Sequence, residues 1–331
     1  MRSRQALLIA ALLGSTLAAA LMWRRLTTSP WLSLPGPSSS AAESPTRPTA
    51  TAAATAAETA QPAAPSPAAG EQRCPAGMVL VAGIHCPFVA HRCAEHAPVA
   101  ADASPQVRHA PRYARPCARY RNELVCEGRP FELSFCIDRF EYPNLRGVLP
   151  AIMVDYHEAA RACAIEGKRL CEADEWILAC EGLKRLPFPY GLRRDPQACN
   201  IDQGYLEPDL RALAIPSQAS VEIERIDRRS PSGAFTRCVS PLGVHDMTGN
   251  VEEWVHNREG SPSRRPFESA LMGGAWEPGQ ASCRAMSTDY NGWHRSYRAG
   301  FRCCRNTLDG KRARRAMPAN FRLQRRQRID P

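Results

Sequence analysis

The sequence predicts a loop-rich α+β domain stapled by disulfides. Three observations carry that prediction. The chain holds fourteen cysteines, an even number, behind a basic-then-apolar N-terminus of the kind that directs export. A cleanly alternating stretch, FELSFCIDRFEYPN, precedes two helices with complete end signals, VDYHEAARACAIEGKRL and CEADEWILACEG. Much of the remainder is short strand-like pieces rich in Gly, Trp and Cys, without an internal repeat.

The N-terminus comes first. Arg2 and Arg4 precede an uncharged, mostly apolar run from Gln5 to Trp23, and Arg24 and Arg25 follow it. At about 1.5 Å per residue the run is long enough to span a bilayer. Residues 1–25 therefore read as a signal peptide or an N-terminal membrane anchor. Ala18 to Ala20 offer a cleavage site, but arginines resume directly after the run, which favours the anchor. Residues 26–73 are Ala, Pro, Ser and Thr with hardly any charge. They have little apolar surface to bury and read as a disordered, fairly extended linker. The folded part spans 74–309, and 310–331 form a basic tail read as a solvated end. The protein is expected to be exported, periplasmic or extracellular, with the membrane as partner of its N-terminus.

The formal charge of +10 is carried by the ends. The last 22 residues carry +7 and the first 25 carry +4, which leaves the folded part near −1. A nucleic-acid partner is not expected from such a domain.

Within the folded part, CPAGMVLVAG predicts a short strand around Met78–Val81. Residues 86–126, with four Cys and many Arg, Ala and Pro, read as irregular and cross-linked. In 131–138, Phe131, Leu133, Phe135 and Ile137 alternate with Glu132, Ser134, Cys136 and Asp138, a strand with one face buried, ended by Pro143 and Asn144. The first helix has Asp155 as N-cap, Glu158 three residues later and Gly167 as stop, with Ala159, Ala160, Cys163 and Ala164 inward. The second has Asp174 and Glu175 at its positive end and closes at Gly182, with Trp176, Ile177 and Cys180 inward. Pro187 to Tyr190 form a loop, and 200–240 read as mostly irregular. GVHDMTGNVEEWV, at 243–255, fits no helix or strand period; it reads as a tight oxygen-rich turn leading into an element anchored by Trp254.

Several chemistries are absent. No C-x2-C pair suggests zinc and no C-x-x-C-H suggests c-type haem. There is no G-x-S-x-G, P-loop or H-E-x-x-H.

FCIDRFEYPN, the capped helix, GKRLCEADEWILACEG, GVHDMTGNVEEWV, GGAW and GFRC occur in the order found in the formylglycine-generating enzyme, or sulfatase-modifying factor, family. The resemblance covers about Met78 to Cys304. It implies a loop-rich variant of the C-type-lectin fold. Its best-known members oxidise a sulfatase cysteine to formylglycine, using molecular oxygen and copper held by two cysteines. It also implies structural calcium. One set of ligands maps onto the Asp246 and Glu253 side chains and the carbonyls of Gly249 and Val251. A second set maps onto Asn200 and Ile201, with Asp227 as a further member. Hard oxygens of this mixture suit calcium.

The active-site residues depart from the family pattern. The family's serine position is Ala275 here, its first cysteine position is Pro278, and only the second cysteine remains, as Cys283. The Trp usually found before the calcium-binding glutamate is Glu252. A copper(I) site wants two soft thiolates, so copper is not expected. The resemblance further implies that Cys163 pairs with Cys303 or Cys304, and that Cys180 takes Cys283. Tyr290, Trp293, His294, Tyr297 and Arg298 lie where the family forms its substrate groove, which implies a peptide, protein or glycan ligand. A three-histidine iron site of the sulfoxide-synthase type lacks the helical domain it needs. The expectation is a calcium-stabilised accessory or binding module with a degraded oxidase centre. The alternative is an oxidase: a thiol enzyme using Cys283 with Cys303 or Cys304, or a periplasmic oxidase of another type using acidic and aromatic groove residues.

Overall fold

A computed structural model describes residues 73–99, 101–111, 115–257, 268–309, 313–318 and 326–329. The expected leader and nearly all of the linker lie outside these residues. No helix among those described is long and apolar enough to cross a membrane.

Strand β4 (Phe131–Asp138) organises the first sheet. β1 (Met78–His85) runs antiparallel along one side of it. The other side is shared by β10 (Cys303–Arg305) and β11 (Ala313–Ala316), and β5 (Arg169–Leu170) extends the sheet beyond β10. Phe131, Leu133, Phe135 and Ile137 point into the main core, as their alternation predicts. Phe135 and Ile137 are fully buried, each contributing roughly 1.5–3 kcal/mol. The opposite face is not solvated as expected. Cys136 packs there with Cys74 and Met78, and buried Asp138 accepts from Lys168 Nζ at 2.9 Å. Pairing on both edges and cover over Ser134, Cys136 and Asp138 leave Glu132 as the exposed residue of the strand.

The two helices form as their end signals dictate. In α2 (Tyr156–Ile165) Glu158 N–H donates to Asp155 Oδ1 at 2.8 Å, and Asp155 N–H donates to Glu158 Oε2 at 3.2 Å, which completes the capping box. A cap of this kind stabilises by ~1 kcal/mol. Ala159 and Cys163 are buried, whereas Ala164, expected inward, is exposed. α3 (Ala173–Glu181) is buried all round and ends at Gly182. Its Trp176 and Leu178 are fully buried in the core shared with β1 and β4.

Three expectations are corrected. Residues 86–126 contain β2 (Phe88–His96), the short helix α1 (Pro105–Arg108) and β3 (Cys117–Glu127). β2 and β3 pair antiparallel, and Cys86–Cys126 and Cys93–Cys117 cross-link them. Irregularities at His91, Cys93 and Glu95 interrupt the two-residue period, which hides the pair from a periodicity reading. Residues 200–240 contain α4 (Leu210–Ala214) and α5 (Pro216–Ile226). The basic tail also supplies structure: β11 pairs with β4, and β12 (Arg326–Arg328) pairs with β3. Arg314 stacks over the Phe131 ring at 4.0 Å and pairs with Asp174 at 2.8 Å, so a cation there is spent on the core.

That clamp gives a pH prediction. Burial would raise the Asp174 carboxyl, but His85 at 3.1 Å and Arg314 outweigh it and hold the carboxyl below its ordinary value. A depressed acid stabilises the fold fully above its unfolded pKa, near 3.9, and loses that contribution as pH falls through the folded value. Protection factors of the Ala313–Ala316 amides, corrected for intrinsic exchange, should therefore hold above about pH 4 and fall below it. In Asp174→Asn they should be low throughout. A pH-independent difference between the two proteins down to pH 2 would contradict the assignment.

The last sheet has the order β8 (Met286–Ser287), β7 (Ser269–Met272), β6 (Glu252–His256), β9 (Ala299–Phe301). β6 runs parallel to β9 and antiparallel to β7. This sheet carries the turn before β6 and the loop after β7, and so positions both candidate sites.

Candidate functional site

All fourteen cysteines pair: 74–136, 86–126, 93–117, 163–303, 171–304, 180–283 and 199–238. The pairings implied for Cys163 and for Cys180 are present. The adjacent Cys303 and Cys304 do not form a vicinal pair. They alternate across β10, so they point to opposite faces and reach α2 and the start of α3 respectively. Each candidate catalytic sulfur, Cys283, Cys303 and Cys304, is thus held in a disulfide and carries no thiol.

The turn before β6 folds its polar groups inward. Asp246, Gly249 and Asn250 all take left-handed backbone conformations, with φ of 57°, 78° and 58°. At Gly249 a Cβ would lie 2.3 Å from the Asn200 carbonyl oxygen and 2.4 Å from Ile201, so only glycine fits. Asn250 ties the segments together. Its Oδ1 accepts from Asn200 Nδ2 at 3.0 Å and from Ser230 N–H at 2.8 Å, and its Nδ2 donates to Glu141. Asp246 Oδ2 accepts from Gly233 N–H at 2.6 Å. Glu253 accepts from Arg302 Nε and Nη2, both at 2.7 Å, and from Trp176 Nε1 at 2.7 Å.

Three buried carboxylates, Glu141, Asp246 and Glu253, therefore act on one buried cation, Arg302. Burial pushes the Asp246 carboxyl up to about 6, opposed by the Gly233 N–H and Arg302 and reinforced by Glu253. Glu141 is raised well above the ordinary range by burial, then by Asp246 and Glu253. Asp246 and Glu253 both act on Arg302. Glu141 and Arg302 were legible only as letters of FEYPN and GFRC. The donor set is hard oxygen of the type that suits calcium, with both oxygens of Glu253 already engaged by Arg302. The second set differs. Asn200 donates to the Arg228 carbonyl at 2.8 Å and Ile201 is fully buried, but Asp227 gives both oxygens to Arg229, at 2.5–3.0 Å.

A cavity of about 490 Å³ opens beside the loop after β7. Ala275 and Pro278 line it, as do Tyr290, Tyr297 and Arg298. Gly274, with φ 75°, lets the loop close on itself: a Cβ there would meet the Gln280 carbonyl at 2.6 Å. Trp293 and His294 do not line the cavity. Trp293 is 69 % exposed and lies against His157, with ring centres 4.2 Å apart, while His294 stacks behind Tyr290 at 4.1 Å.

The charged groups of the cavity are Glu252, Glu277 and Arg298. Glu277 accepts from Arg298 Nη1 and from the Tyr297 hydroxyl, each at 2.8 Å. Burial raises the Tyr297 phenol, and Glu277 raises it further. Burial also raises the Glu252 carboxyl, against Arg298, which lowers it. Glu277 and Tyr205 carried no sequence signal, and α1, which adds Gln106 and Val107 to the wall, lay in a segment read as irregular.

Residues 137–307 match a family model described as the sulfatase-modifying factor enzyme 1-like domain. Inactive C-alpha-formylglycine-generating enzyme 2 of Mus musculus is 31% identical over 162 residues, 47% of this chain and 48% of that protein. Its Bos taurus counterpart is 30% identical over 161 residues, covering 46% and 49%. The chain thus spans about half the length of these relatives. Among solved structures, CarF aligns with 13% identity and a TM-score of 0.41, over 69% of this chain and 97% of that one. PvdO from Pseudomonas aeruginosa aligns with 19% identity and a TM-score of 0.38, over 69% and 94%.

Proposed function

This chain belongs to the sulfatase-modifying factor enzyme 1-like family, and we propose that it serves as a binding or accessory module in which the family's thiol–copper oxidase centre is lost. The observation that carries this reading is the Cys180–Cys283 disulfide. It consumes the one retained family cysteine, while Pro278 stands at the other position. Copper(I) chemistry needs two thiolates, and none is left. The matched relatives are themselves named inactive, which agrees in direction.

In this reading the ligand is a peptide, protein or glycan held in the cavity beside Pro278. The domain works outside the cytoplasm, where seven disulfides persist, and its N-terminus ties it to a membrane. Calcium is held by Asp246 and Glu253 with the carbonyls of Gly249 and Val251, where it would offset excess carboxylate charge and fix the turn. The proposal does not extend to the second set, where Asp227 gives both oxygens to Arg229 and Asn200 and Ile201 bring no carboxylate of their own, whereas the first set keeps Asp246 apart from the Arg302–Glu253 pair. A second reading, an oxidase of another type, draws on Glu252, Glu277 and Tyr297 meeting in the cavity; copper-independent oxygen uptake would favour it.

The test is one preparation from an oxidising compartment, alkylated before a non-reducing peptide map, with its metals measured. The expected result is a Cys180–Cys283 cross-linked peptide, no alkylated Cys283 and no copper. Saturating calcium should raise the melting temperature, by about 2.7 kcal/mol of stability at 100 times the dissociation constant. Asp246→Asn should abolish that gain. Alkylated Cys283 together with stoichiometric copper would return the chain to the thiol oxidases.

A further inference from the structure

The cavity beside Pro278 holds a charge imbalance that its own residues do not resolve. Glu277 is satisfied by Arg298 and by the Tyr297 hydroxyl. Glu252 is not. Its Oε2 lies 3.9 Å from Arg298 Nη2, beyond hydrogen-bond length, and this buried atom receives no hydrogen bond from the described residues. One cation thus serves two carboxylates, and the acceptor left without a donor is on Glu252, beside an Arg298 Nε that also lacks a partner among the described residues. A buried carboxylate oxygen without a donor is costly, and a ligand that supplies a charged donor removes the cost.

A second cavity of about 320 Å³ adjoins the first, sharing Val107 and Pro278 with it. Its wall is largely apolar, including Pro98, Val99 and Ala103. Its charged groups, Arg194 and Asp202, already satisfy each other through two hydrogen bonds of 2.7 Å. An acidic pocket therefore continues into an apolar one across a two-residue divide.

We propose that the paired cavities bind a peptide by a lysine side chain next to an apolar residue, with the ammonium on Glu252 and the apolar side chain in the Pro98–Val99 cavity. Tyr205 and Tyr290 line the first cavity and suit the methylene stem of the lysine. The compact ammonium brings three donors to one open acceptor.

This inference rests on reading the cavity as a binding site, but not on the fate of copper. It is tested on the full chain by calorimetry with blocked tripeptides Ala-Lys-Leu, Ala-norleucine-Leu and Ala-acetyllysine-Leu. The lysine peptide should bind about tenfold more tightly than the other two, the size of one charge-assisted hydrogen bond. Glu252→Gln, which conserves volume, should bring the three within about twofold, the preference for charge being gone. The acetyllysine arm makes the same test on the unaltered protein, so the result does not depend on the variant folding. Equal binding of lysine and norleucine peptides, no lysine-peptide binding through the millimolar range, or a preference surviving Glu252→Gln would each overturn the proposal. Loss of charge preference with norleucine binding intact would still leave a binding module, whereas copper and a free Cys283 would remove that reading instead.

Discussion

Arg302→Met is expected to lower the stability of the domain by about 3–5 kcal/mol, read as a shift in the urea midpoint at unchanged slope. Arg302 is fully buried and central to the turn. It donates to both oxygens of Glu253 at 2.7 Å and to the His245 carbonyl at 2.9 Å. Burial alone would favour its neutral form, but Glu253, and then Glu141 and Asp246, hold it charged. Methionine fills much of the same volume, so packing changes little, but three buried carboxylates lose the cation they share. The loss therefore comes from uncompensated charge. Glu253→Gln in the Arg302→Met background should recover part of it, because one of the stranded charges is removed with its partner. Saturating calcium should shrink the loss for the same reason. A change below about 1 kcal/mol would mean that these carboxylates are solvated or already neutral, against the geometry.

Replacing both Cys180 and Cys283 with alanine should cost about 2–4 kcal/mol, to be checked by chemical denaturation of oxidised protein. The two are 103 residues apart, and closing a loop of that length in an otherwise free chain is worth about 4.7 kcal/mol. The interval is not free. Cys199–Cys238 shortens it from within, and Cys171–Cys304 spans it from outside, so the unfolded chain is already confined. Both sulfurs are fully buried against Met247, Trp176 and their neighbours, so alanine also leaves small cavities. A structural bridge predicts lost stability with ligand binding kept. A catalytic thiol at Cys283 predicts the reverse: little change in stability and complete loss of turnover.

The parts of the fold legible in the sequence are those whose cause is local. The alternation from Phe131 to Ile137, the Asp155–Glu158 capping box and the Gly182 stop are each written within a few residues, and each is present. The β2–β3 pair was illegible because bulges at His91, Cys93 and Glu95 break its period. The strands in the basic tail were illegible because nothing in ARRA announces that Asp174 and Phe131 await it. At the sites, Asp246 and Glu253 were visible through the turn that holds both. Glu277 was not, since its role depends on Arg298 and Tyr297, about twenty residues later in a loop.

By itself the sequence determined a disulfide-stapled α+β domain and its two capped helices. Those follow from composition, short-range periodicity and single positions. The tertiary structure decided which sulfurs meet, that three carboxylates share Arg302, and that Glu252 lines a cavity with one oxygen lacking a donor. These depend on which distant segments come within a few ångströms of each other, and hydrogen bonding and charge act over that distance rather than along the chain.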